Sequence, residues 1–147
     1  MRHSFTYEIR NHSAALQSLK LELEATLFVQ EPDPAIRSIV LLVADELVSN
    51  LLKYGFSKGS DQYSRLNITL DDDWLEIELK DNGQCFNPLI HAKPKTLSSQ
   101  LSDRQEGGLG VYLVLKIMDE TRYEWIEPWN RLTLRKRIEN KSDDREI

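Results

Sequence analysis

The sequence predicts an α+β two-layer sandwich, on three observations. Alternating strand patterns fall next to one another and read as hairpins, at 66–79 and again at 122–137. Apolar residues at helical spacing fall in separate blocks, at 16–51 and 109–118. Helices segregated from mostly antiparallel hairpins are expected to cover one face of a sheet. The size and composition agree. The 147 residues suit a single domain, and 40% hydrophobic with 29% charged residues is ordinary globular composition.

The elements follow in order. Phe5, Tyr7 and Ile9 alternate as a short strand, with Asn11 or Ser13 placed to cap a helix. Leu16, Leu19, Leu23 and Leu27 make one buried stripe, and Glu31-Pro32-Asp33-Pro34 ends it. A second helix is expected from Pro34, capped by Asp33, with a stripe of Ile36, Val40, Val43, Leu47 and Leu51. Residues 54–63 read as a loop. Leu66, Ile68 and Leu70, an Asp71-Asp72-Asp73 turn, then Leu75, Ile77 and Leu79 make the clearest hairpin, its polar residues facing away from the core. Residues 81–110 read as mostly irregular, 109–118 as helix. A Glu127-Pro128-Trp129-Asn130 turn joins two closing strands. Trp74, Trp125 and Trp129 are expected to pack in the core and turns. The domain is expected to span 1–138, followed by a charged tail, 139–147.

The balance of 19 Lys and Arg against 24 Asp and Glu, a net charge of −5, excludes a general nucleic-acid or membrane-surface binder. One cysteine, Cys85, makes no internal disulfide. The chain has no apolar run of membrane-spanning length and no signal-peptide core at Met1–Phe5, so a cytoplasmic location is expected.

Three segments concentrate polar chemistry. In Asp45-Glu46-Leu47-Val48-Ser49-Asn50, Glu46 and Asn50 share a helix face that is not the apolar stripe. This is either a solvated face or a carboxylate and an amide oxygen turned into a cleft, a donor set suited to Mg²⁺. Asp81-Asn82-Gly83-Gln84-Cys85-Phe86-Asn87-Pro88 is either a turn or a strand end. As a strand end, it lets Asp81 accept a hydrogen bond from an exocyclic amine while Gly83 admits a planar ligand. Glu106-Gly107-Gly108-Leu109-Gly110 holds three of the six glycines and opens an apolar helix. It is either a hinge or an anion site built from free N–H groups at a helix start.

In this order the three segments resemble the Bergerat ATP-binding fold of the GHKL superfamily. Glu46-x-x-x-Asn50 is similar to its N box, Asp81-x-Gly83-x-x-Phe86-x-Pro88 to its first glycine box, and Gly107-Gly108-Leu109-Gly110 to its second. Within it, the small anti-sigma-factor serine kinases of the RsbW and SpoIIAB type are most similar, over roughly residues 5–137. The resemblance implies a mixed, mostly antiparallel sheet with helices on one face, and ATP and Mg²⁺ as cofactors. It implies that Glu46 is the general base and that Asn50 holds Mg²⁺. Asp81 would receive the adenine amino group, assisted through water by Thr133, with Gly83 under the base and Phe86 beside it. Gly107, Gly108, Leu109 and Gly110 would bind phosphates through their backbone, and Lys53 and Arg104 through their charge. Residues 89–106, with Lys93 and Lys95, would form a lid. Partners would be a STAS-domain anti-sigma-factor antagonist and a sigma factor, switched by phosphorylation, with a homodimer as a further expectation. The sequence departs from the family at Asn87, where Asp is common, and at Tyr54, where His is common. The alternative is a nucleotide-binding module that controls a partner such as a phosphatase without being a kinase.

Overall fold

The computed structural model describes residues 2–11, 14–55, 62–91 and 108–138. Strand β1 (His3–Arg10) leads to two helices, α1 (Ala15–Gln30) and α2 (Pro34–Asn50). A π-helical turn, Leu51–Gly55, extends α2. Strands β2 (Tyr63–Leu70) and β3 (Trp74–Asp81) follow, then a 3-10 turn, Pro88–His91. Helix α3 (Gly108–Ile117) and the hairpin β4 (Glu120–Ile126) and β5 (Trp129–Arg137) complete the described chain.

The helix starts divide the capping expectations. Asp33 caps α2: its side chain accepts the Ala35 N–H at 2.9 Å, with Pro34 in the first turn. At α1 the N-cap is Ala14, which has no side chain to accept a bond, so Asn11 does not play that part. Ser13 lies outside the described residues.

The five strands form one sheet in the order β1-β2-β3-β5-β4. Every pairing is antiparallel, so the expected mixed character resolves to antiparallel throughout. The inward residues of the strands pack on Leu19, Leu23 and Leu27 of α1 and on Val40, Val43, Leu47 and Val48 of α2. Inward from the sheet come Leu66, Ile68, Leu75, Ile77, Leu132 and Leu134. Each fully buried aliphatic side chain contributes about 1.5–3 kcal/mol, so this layer holds the fold. Val114 and Met118 attach α3 to the same core.

The other sheet face is polar and bridged. Arg131 pairs with Glu78 at 3.0 Å, and Arg135 with Glu120 at 2.8 Å. Trp74 and Trp129 belong to this face, not the core: the Arg135 guanidinium lies 4.1 Å from the Trp74 ring centroid, and the Lys80 ammonium 4.5 Å from that of Trp129. Trp125 is 39% exposed on edge strand β4. The strand register explains the reversal, because alternation sends Trp129, Arg131, Thr133 and Arg135 outward together and Asn130, Leu132 and Leu134 inward.

The candidate functional site

Glu46 and Asn50 lie one turn apart near the end of α2, both half-buried. The Asn50 Nδ2 donates to Glu46 Oε1 at 3.2 Å. That bond uses the amide's donor end and leaves its Oδ1 as an acceptor. Burial pushes the Glu46 carboxyl above its ordinary value, Asp45 adds to the rise, and the Asn50 bond and the Lys53 ammonium pull the other way. Lys53 itself is exposed.

Helix α3 meets this carboxylate through a glycine. A methyl group on Gly110 would stand 1.9 Å from Glu46 Oε1, so the backbone of the first α3 turn lies directly on the Glu46 side chain. N–H groups of a first helical turn have no intrahelical acceptor, and the helix dipole there favours an anion. Gly108 and Leu109 belong to that turn. Gly107 and Arg104 lie outside the described residues, as do Lys93 and Lys95.

The second part of the site forms where β3 ends. Asp81 is 7% exposed and turns to the helix side of the sheet. Its Oδ1 accepts the Gly83 N–H at 2.9 Å and Asn130 Nδ2 at 3.0 Å. Burial raises its pKa above the ordinary value, and these two bonds hold it back. Register explains the partner, since Asp81 and Asn130 stand opposite each other on β3 and β5. Asn130 Nδ2 also donates to the Gln84 carbonyl at 2.9 Å, while its Oδ1 accepts from the Phe86 N–H at 3.1 Å and from the Tyr123 hydroxyl. The Tyr123 hydroxyl is pushed up to about 12 by burial and by the neighbouring Cys85.

The π turn ties the two parts together. The Gln84 N–H reaches the Gly55 carbonyl at 3.3 Å, and Gln84 Nε2 the Tyr54 carbonyl at 3.3 Å. A methyl on Gly83 would stand 2.3 Å from the Gly55 carbonyl oxygen. Gly83 is thus required by backbone packing, whatever else it admits. From Glu46 to Gly55 is nine residues, roughly 13 Å along a helix axis at about 1.5 Å per residue.

One expected residue falls elsewhere. Thr133 is opposite Glu78 and Arg122, on the bridged outer face, and the sheet separates it from Asp81. Its expected help at the base is therefore corrected. The inward position near the strand start belongs to Asn130, the last residue of the turn expected at Glu127-Pro128-Trp129-Asn130. The Phe86 side chain is 44% exposed, and it is the Phe86 N–H that joins the network. Tyr123 had a sequence signal: it is a residue with a polar end at an inward-alternating position of a strand.

Among the described residues no three His, Cys, Asp or Glu side chains gather as a metal cage. A Glu carboxylate beside an Asn oxygen fits the smaller demand of Mg²⁺, which keeps waters and takes few protein ligands. No helix among the described residues is long and apolar enough to cross a membrane.

Comparison with known proteins gives the family of the chain. The family model described as the histidine kinase-like ATPase domain matches residues 9–136. The serine/threonine-protein kinase BtrW of Bordetella bronchiseptica is 29% identical over 99 residues, 67% of this chain and 69% of that protein. The serine-protein kinase RsbW of Staphylococcus epidermidis is 29% identical over 84 residues, 54% of this chain and about half, 52%, of that protein.

Proposed function

We propose that this chain, which belongs to the histidine kinase-like ATPase domain family, is an ATP-dependent protein serine/threonine kinase of the anti-sigma-factor type. The single observation that carries the reading is the joining of two subsites by one helix. The buried Asp81 carboxylate belongs to the strand end that packs on the π turn at Gly55, and earlier in the same helix Glu46, bonded to Asn50, meets the start of α3. A nucleotide has the matching layout, with an amine-bearing base at one end and anionic phosphates at the other. The names of the relatives BtrW and RsbW support the kinase assignment.

In this reading Asp81 accepts a hydrogen bond from the adenine amino group. The first α3 turn, from Gly108, directs N–H groups at the phosphates, and Gly107, which precedes it in the sequence, belongs to the same proposed phosphate site. Lys53 and Arg104 add positive charge. Asn50 supplies the oxygen that would hold Mg²⁺, which when bound would neutralise developing charge on the phosphates. Glu46 takes the proton from the attacking hydroxyl. Burial raises its pKa above the ordinary carboxylate value, the direction that strengthens a general base. The acceptor is a serine or threonine of a STAS-domain antagonist, and phosphorylation switches the chain between that antagonist and a sigma factor, as a homodimer in the cytoplasm.

The test is transfer of γ-labelled phosphate, with Mg²⁺, to a purified STAS-domain antagonist. Transfer is expected from the wild type, and Glu46→Gln should lower it by about 10²-fold or more while nucleotide still binds. No transfer from a sample that binds ATP would refute the kinase assignment.

A further inference from the structure

Asn130 is 5% exposed, and both ends of its carboxamide are engaged. Oδ1 accepts from the Phe86 N–H at 3.1 Å and from the Tyr123 hydroxyl. Two donors on one atom determine which end of the amide is oxygen. Nδ2 is therefore directed the other way, to Asp81 Oδ1 at 3.0 Å and to the Gln84 carbonyl at 2.9 Å. The Gly83 N–H also lands on Asp81 Oδ1, at 2.9 Å. Both donors thus occupy the same carboxylate oxygen, and neither uses Oδ2. A carboxylate held in this way offers one acceptor direction in place of two.

From this geometry we infer that Asn130, itself oriented by Tyr123, is a positioning residue that turns Asp81 Oδ2 toward a ligand N–H donor and so sets preference for a base bearing an exocyclic amine. The inference rests on the reading of the cleft as an ATP site. Asn130 acts through Asp81, and Tyr123 through Asn130. The donor and acceptor ends have separable duties: Nδ2 aims the carboxylate, and Oδ1 pins the Phe86 segment and fixes the amide. A purely structural hub would serve every nucleotide equally. A positioning residue serves only those that use Asp81.

The experiment measures dissociation constants of the full chain for ATP and for purine riboside triphosphate, which lacks the 6-amino group. The wild type is expected to prefer ATP by about tenfold or more, the worth of one hydrogen bond to a charged group. Asn130→Ala removes the donor to Asp81 without placing a second carboxyl beside it. It is expected to bring the preference close to unity, because ATP loses far more affinity than the des-amino nucleotide does. Tyr123→Phe should give an intermediate preference. A parallel loss for both nucleotides, or an undiminished preference in Asn130→Ala, overturns the inference. If Asn130→Ala fails to fold, as its melting curve would show, Tyr123→Phe decides alone, and an undiminished preference overturns it. A wild type with no preference would overturn the adenine reading of Asp81 itself, a result distinct from any failure of Asn130.

Discussion

Glu46 and Asp81 are carboxylates with raised pKa values, and in both the leading cause is burial. The sign of the consequence is the same for each. The folded chain holds the proton to higher pH than the unfolded chain does, so stability declines as pH rises from the ordinary carboxylate range through the folded value. Both groups therefore cost the fold something at neutral pH, which is what a site kept for function looks like. Asp81→Asn retains an Oδ1 for the Gly83 and Asn130 donors while removing the buried charge. It is expected to lose ATP affinity by about tenfold or more with an unchanged or higher melting temperature, a pairing that calorimetry and thermal unfolding check together. Both carboxylates were legible in the sequence, because each stands beside a regular apolar pattern in a segment rich in polar residues. Asn130 was not, because Pro128 and Trp129 beside it carry the composition of a turn. Only the register that sets it opposite Asp81 reveals its part.

Two glycines connect the elements, and they are expected to differ on substitution. At Gly83 a methyl meets backbone, the Gly55 carbonyl oxygen at 2.3 Å. Neither segment yields easily, so Gly83→Ala should destabilise the fold by about 1–3 kcal/mol, seen as a lower denaturation midpoint. At Gly110 a methyl meets the far end of the Glu46 side chain at 1.9 Å. That carboxylate swings aside at little cost, so Gly110→Ala should fold with a near-wild-type midpoint and lose phosphoryl transfer. Equal destabilisation by the two would contradict the geometry. The helix stripes and the 66–79 hairpin were readable because their apolar periods are long and unbroken. The π turn was not: Leu51 continues the apolar stripe, but no residue type marks a widened turn, and the Tyr54 and Gly55 carbonyls are met by Gln84, distant in the sequence.

At the scale of the whole molecule, one sheet presents two unlike faces. The inward face carries the core and, where β3 ends and β5 begins, the Asp81–Asn130 pair. The outward face is bridged by ion pairs and by cations over Trp74 and Trp129. This division is what removes Thr133 from the site and gives its place to Asn130. A net charge of −5 is compatible with a tetra-anionic ligand, since backbone N–H groups at a helix start, and Mg²⁺ in the proposed reading, would neutralise it locally. Ligand linkage then applies to the entire fold. At about 100 times its dissociation constant, ATP with Mg²⁺ should add about 2.7 kcal/mol of stability, a rise of several degrees in melting temperature. The most direct test is a crystal structure of the chain with a non-hydrolysable ATP analogue and Mg²⁺. The expected result has the adenine amino group on Asp81 and the phosphates on the first turn of α3 beside Glu46 and Asn50. A nucleotide bound elsewhere, or with its base and phosphates reversed, would contradict the account.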